Sequence, residues 1–216
     1  MSSTKEKILK EAVRLFNEKG YAHVSLRDIA KAIGISQGNL TYHYKTKVML
    51  MMAIYERMLE ESQTYIMPGG FLTLHHFEQM LNKFYVYQHK YRFFFIDIVH
   101  ISRTYPDLGL MYEKSVYQRM ADGRKLIDYY VETGRMKPED EFIDYGRLGH
   151  SIWMVSAFWL SQREIIPDAA VQEASPIQHL WHLVMPVLTE KGLEEYREIV
   201  KFRNTEIKEL QVDKEA

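Results

Sequence analysis

No cysteine occurs in the 216 residues. That excludes disulfides, thiolate metal sites and cysteine nucleophiles, and it suits a reducing compartment. Proline and glycine are scarce, at six and eleven residues, which argues against a loop-rich or fibrous class. No stretch approaches the roughly 18 consecutive apolar residues of a spanning helix. The opening segment MSSTKEKILKEAVRLF is charged and amphipathic, with neither an apolar h-region nor a small-residue cleavage site. The expectation is an uncleaved cytoplasmic protein. Nucleotide loops, nucleophile motifs and metal-binding helix motifs are lacking too, so neither an enzyme nor a cofactor is expected. His179 and His182, three apart, and His150 have no carboxylate shell beside them, so no metal site is expected either.

An excess of one charge is also lacking, since the formal net charge is −1. The balance conceals an asymmetry. Through Tyr55 nine Lys or Arg face four acids, whereas the remainder carries 19 basic and 25 acidic groups. A basic N-terminal unit on an acidic body implies a polyanionic partner for the small unit alone.

With 46% hydrophobic and 26% charged residues the chain can bury a core. Between the few glycines and prolines the apolar spacing is nearer 3.6 than 2, which predicts an all-α protein. Ser3-Thr4-Lys5-Glu6 matches a capping box and opens a helix that Gly20 ends, with Ile8, Leu9, Ala12, Leu15 and Phe16 in one stripe. Ser25-Leu26-Arg27-Asp28 is a second box, opening a short helix that Gly34 stops. Ser36 caps a third helix over 37 to about 44, and a fourth starts near Thr46. Met67-Pro68-Gly69-Gly70 marks a break. Beyond it the pattern predicts a helix carrying Phe77 to Tyr91, an apolar stretch over 93–101, and helices over about 107–133, 139–165 and 175–190. A loop covers 168–174, Gly192 follows the last of these helices, and a charged helix runs over 193–210. The expected organisation is a small basic domain over 1–50, a connecting helix to about 66, and a larger helical bundle over 67–216.

Two short helices separated by Gly34-Ile35-Ser36 have the length and turn chemistry of a helix-turn-helix, whose second helix enters the major groove. From Ser36 the residues read SQGNLTYHYKTK, with Leu40 the one aliphatic anchor. Gln37 and Asn39 carry paired donors and acceptors that match an adenine edge, and Gly38 lets the backbone approach phosphate. Thr41 can bond a phosphate or touch a thymine methyl; Tyr42 and His43 offer polar tips on rigid rings. Lys47 supplies a charge for the DNA backbone, and Ser25 and Arg27 can reach a phosphate and a base. Tyr44 is expected inside. The alternative for Arg27 is an ordinary surface charge, and for the whole segment a packing module with a solvated face.

The segment VSLRDIAKAIGISQGNLTYHYKTKVML, with the preceding helix, Phe16 and the Gly20-Tyr21 turn, resembles the N-terminal domain of tetracycline-repressor-type regulators over about 4–55. The resemblance implies that Ser25, Gln37, Gly38, Thr41, Tyr42, His43 and Lys47 stand where members touch DNA. Thr41 departs from the family, which most often has an aromatic residue there.

One three-helix reader makes few base contacts, so specificity calls for two half-sites and a homodimer on a palindromic operator. The expected dimer face is apolar: Ile152, Val155, Trp159, Ile177, Leu180, Trp181, Val184 and Leu188, with internal core as the alternative. TetR-like regulators pair in this way, which adds weight by resemblance. The body is rich in aromatics that suit an apolar or aromatic effector: Phe84, Tyr87, Tyr91, Phe94, Tyr117, Tyr130 and Trp153, with Asp97 and His100 either a buried polar pair or an exposed face. The expected function is a ligand-responsive repressor. Its rival is an effector-independent architectural dimer that organises the chromosome.

Overall fold

The computed structural model describes residues 3–63, 71–166 and 175–215. The expected break at 67–70 and the loop at 168–174 lie outside these residues. Among those described, helices are joined by short turns and the extended pairing is one isolated bridge, Met136 with Leu188. In chain order the helices are α1 (Thr4–Lys19), α2 (Leu26–Ala32), α3 (Gln37–His43), α4 (Lys47–Gln63), α5 (Leu74–Lys90), α6 (Arg92–Ile96), α7 (Ile98–Thr104), α8 (Pro106–Glu132), α9 (Tyr145–Ile165), α10 (Pro176–Val184) and α11 (Glu190–Glu215). Single 3-10 turns cover Tyr21–His23 and Met185–Val187. The chain clusters into two compact units, one of residues 1–66, 86–117 and 157–172, the other of residues 67–85, 118–156 and 173–216.

In the first unit α1 buries Ile8, Leu9, Ala12, Leu15 and Phe16, the stripe that its spacing predicts. Around it Val24, Ile29, Ala30, Leu40, Tyr44, Leu50, Met51 and Ile54 are buried. The apolar stretch after Tyr91 is two short helices that meet at Asp97, and it buries Phe93, Phe94, Phe95, Ile98 and Ile101. Phe94 stacks on Tyr55 at 5.3 Å between centroids. Gln88 is buried because its Oε1 accepts from Trp159 Nε1 at 2.8 Å.

A second core comprises Leu72, Leu74, Leu81, Leu126, Tyr130, Met136, Tyr145, Ile177, Leu180, Trp181, Val184, Leu188 and Ile199. Buried Glu78 and Arg135 each hold a polar partner there, as burial demands. Glu78 accepts from the Trp181 indole N–H and from Arg203 Nη2, and buried Arg135 donates through Nε to both Glu195 oxygens at 2.8 and 3.0 Å.

Three expectations are corrected. The helix expected from 139 begins at Tyr145, because Asp144 caps it there and Asp140 bonds the loop backbone ahead of it. Asp140 takes the N–H groups of Phe142 and Ile143, Glu139 takes that of Tyr145, and Asp144 takes that of Arg147. The helix capped by Ser175 with Pro176 at its first position ends at Val184, and the 3-10 turn around Pro186 then turns the chain into the bridge with Met136. Gly192 does not terminate a helix but lies in the first turn of α11, where a Cβ would stand 2.2 Å from the Arg135 carbonyl oxygen.

Candidate nucleic-acid interface

The turn between α2 and α3 has a local cause at each residue. Ser25 Oγ accepts from the Asp28 N–H at 3.2 Å and the Asp28 carboxylate takes the Ser25 N–H at 2.9 Å, closing the capping box that starts α2. At the other end Gly34, at φ 70°, lets Ile35 N–H reach the Ala30 carbonyl at 3.0 Å while its own N–H bonds Lys31 at 3.3 Å. That six-to-one and five-to-two pair is a Schellman stop, and its left-handed residue favours glycine. Ser36 then caps α3, accepting from Asn39 N–H at 3.1 Å.

What α3 presents follows from which residue it buries. Leu40 has no exposed surface, and burying it stabilises this seating by about 2 kcal/mol. Ser36, Gln37, Gly38 and Asn39 are exposed, and Tyr42 is 83% exposed with its ring edge-on to half-buried His43 at 5.3 Å. A largely exposed tyrosine beside amides and a side-chain-free glycine is a surface shaped for hydrogen-bonding edges rather than for packing. Arg27 is exposed on α2, and Tyr44 is buried.

Three of the expected contacts are engaged within the chain. The Ser25 hydroxyl donates to Asp28 at 2.6 Å, which with the neighbouring backbone bond holds that carboxyl below its ordinary range. The Thr41 hydroxyl donates back to the carbonyls of Gln37 and Gly38 at 3.0 and 3.1 Å. Lys47 Nζ donates to the Tyr21 carbonyl, and burial lowers its pKa.

The residues expected to bind an effector are dispersed. Tyr87, Tyr91 and Phe94 are buried in the first unit in ring contact with neighbours, Tyr87 with Tyr91 at 5.3 Å and Phe94 with Phe95 at 5.7 Å. Asp97 lines a surface cleft of about 660 Å³ with Phe16, His23 and Arg92. His100 is exposed and faces Thr104, the exposed-face arrangement, and Tyr117 is 66% exposed. In the second unit Tyr130 is buried, its hydroxyl donating to the Thr73 carbonyl, while Phe84 has Arg119 over its ring and Trp153 lies beside His150.

Of the expected dimer face, Ile177, Leu180, Trp181, Val184 and Leu188 are buried in the core of a single chain, and Ile152 and Val155 pack against that core half-buried. Trp159 is buried in the first unit. A side chain already enclosed within one copy offers no surface to a second, so core is the role the structure shows for those six.

Asn17 was not anticipated. Its Nδ2 donates to the Lys90 carbonyl at 2.9 Å and its Oδ1 accepts from Phe93 N–H at 3.0 Å, so one side chain of α1 closes the joint between α5 and α6. Only its polarity beside the apolar stripe of α1 hinted at such a partner.

Residues 54–196 match the family model described as TetR, bacterial transcriptional repressor, and residues 8–54 match that of bacterial regulatory proteins of the tetR family. The chain belongs to the tetR family. It is similar to the probable HTH-type transcriptional regulator YttP of Bacillus subtilis (strain 168), 30% identical over 59% of this chain and 68% of that one. It is also similar to the biofilm operon icaADBC negative regulator IcaR of Staphylococcus epidermidis, 27% identical over 76% and 90%. The crystal structure of a TetR-family regulator from Marinobacter aquaeolei VT8 superposes with a TM-score of 0.83 at 24% identity, covering 93% of this chain and 98% of that one. The tetR-family chain is thus a DNA-binding transcriptional regulator and not an enzyme. None of its described helices is long and apolar enough to cross a membrane.

Proposed function

We propose that the chain is a ligand-responsive repressor that occupies a palindromic operator as a homodimer. The observation that carries the reading is the division of α3: Leu40 is wholly buried, while Gln37, Gly38, Asn39 and Tyr42 are exposed. On this reading those four, with Ser36 and His43, meet base edges and phosphates, and Arg27, Ser25, Thr41 and Lys47 flank them. Residues 1–50 are the reader, a connecting helix follows to about 66, and residues 67–216 pair and sense. Pairing uses the outward residues of α9 and α10, among which His150, Met154, Gln178 and His182 are exposed. The effector is an apolar or aromatic small molecule held by the aromatic body. Its binding shifts the population of a dimer whose reader spacing no longer matches the operator.

The name of the Staphylococcus epidermidis relative, a negative regulator, supports repression. Selection of duplexes from a random pool on the full-length protein tests the reading. The expected product is an inverted repeat with half-sites about one helical turn, roughly 10 base pairs, apart or a multiple of it. Recovery of single unpaired half-sites would contradict the dimer. Occupancy of many dispersed chromosomal sites would favour the architectural role.

A further inference from the structure

Thr73 is the residue before α5, and His76 stands three residues on, where a glutamate or glutamine would close a capping box. The imidazole takes that part. The Thr73 backbone N–H donates to His76 Nδ1 at 3.1 Å, and the Thr73 hydroxyl lies 3.0 Å from the same nitrogen. One position earlier, Gln79 Nε2 donates to His75 Nε2 at 3.1 Å, and the His75 ring meets that of Phe202 edge-on at 6.0 Å. Both imidazoles are exposed to water, whereas Leu72 and Leu74 on either side of Thr73 are buried.

We infer that His76 is a proton-sensitive latch on the opening turn of α5, closed while its imidazole is neutral and released when the ring gains a proton.

A backbone N–H can only donate, so His76 Nδ1 must carry a lone pair and the ring proton must sit on Nε2. A second proton occupies Nδ1 and leaves the Thr73 N–H facing another N–H. Its charge also falls in the first turn of a helix, the end whose dipole disfavours cations, and that turn holds no acid to offset it. His75 accepts in the same turn, so a proton there adds like charge and reinforces the release.

The other groups that hold this turn are already engaged. On α11 Glu195 takes the Leu74 N–H at 3.1 Å and Nε of Arg135, the residue in the turn after α8. On α5 Glu78 takes Arg203 of α11. On α8 the hydroxyls of Tyr129 and Tyr130 bond the Leu72 N–H and the Thr73 carbonyl at 3.0 and 2.9 Å. Of these side-chain types, imidazole is the one whose unperturbed charge change falls between about pH 5 and 8. Acid therefore loosens the turn that seats Leu72 and Leu74.

Hydrogen exchange of the full-length protein tests the latch at the Thr73 amide, read as protection factors so that the intrinsic pH dependence of exchange cancels. Between about pH 7.5 and about pH 5 the wild type is expected to lose protection there about fivefold or more, the size of a lost helix cap. His76→Gln supplies a capping acceptor that takes up no proton, so its Thr73 protection should stay level over the same range, whereas His76→Ala should be low at both ends. An unchanged wild type, or an equal loss in His76→Gln, would overturn the inference. The ring itself gives a readout that needs no variant. Nitrogen chemical shifts of His76 at about pH 7.5 should report an unprotonated Nδ1 and a protonated Nε2. A proton on Nδ1 there would overturn the inference as well. None of these readouts involves DNA, so the latch is tested separately from the role of α3.

Discussion

Gly192 lies against the main chain of Arg135, so that a Cβ added to it would stand 2.2 Å from the Arg135 carbonyl oxygen. The contact joins the turn after α8 to the first turn of α11 and sits beside the Arg135–Glu195 ion pair. The obstacle is backbone, which cannot rotate aside as a side chain can. Gly192→Ala is therefore expected to destabilise the chain by about 1–3 kcal/mol despite the better helix propensity of alanine. A urea-unfolding midpoint equal to or above that of wild type would contradict the close approach.

Glu78 holds two donors in the same unit, the Trp181 indole and the Arg203 guanidinium. Replacing it by alanine leaves both unpaired, and removing one partner of such a buried set costs about 3 kcal/mol. Glu78→Gln keeps an acceptor for the indole and should lose less. Equal unfolding midpoints for the two variants would show that the indole bond contributes nothing.

Asn17 joins α1 to the α5–α6 joint through both ends of its amide. Asn17→Ala leaves the Lys90 carbonyl and the Phe93 N–H without that partner, at about 1–3 kcal/mol. Asn17→Asp retains the acceptor but loses the donor, so it should fall between alanine and wild type. Hydrogen exchange at the Phe93 amide reads the effect locally, and protection unchanged in Asn17→Ala would contradict it.

Asp28 has a pH signature. The Ser25 hydroxyl and backbone N–H lower its carboxyl below the ordinary value of 3.8, so folding favours the ionised form. Its contribution is present above that value and is lost as pH falls through the lower folded one. The stability difference between wild type and Asp28→Asn should be largest near neutrality and shrink below about pH 4. A difference that grows on acidification would reverse the sign.

The reader was legible because its determinants are local. Ser25 with Asp28, Gly34 and Ser36 each act within six residues, and those short bonds set where α2 and α3 begin and end. Leu40 as the lone aliphatic residue of α3 announced which side is buried. Partners far along the chain were not legible. Lys47 is drawn to Tyr21 by 26 residues, Tyr21 to Tyr105 by 84, and Asn17 to Phe93 by 76, and nothing in the spacing of either partner records the other. The same holds for the apolar stripe of α10. Its periodicity states that one side is buried, and burial within the chain or against a second copy gives the same pattern. The acids at 139–144 misled for the opposite reason: each matches a helix start, but Asp144 is the one that caps α9, and Asp140 bonds loop backbone ahead of it.

The account turns on α3 as the surface that reads DNA. Gln37→Ala combined with Tyr42→Ala removes an exposed amide and an exposed ring, touching neither Leu40 nor the Ser36 cap. Titration of the full-length double variant with the selected duplex, alongside its thermal melt and sedimentation, is the most direct test. The account predicts that specific binding is abolished, a loss of at least about a hundredfold, with melting temperature and oligomeric state as in wild type. Retained specific affinity in a folded double variant would contradict it.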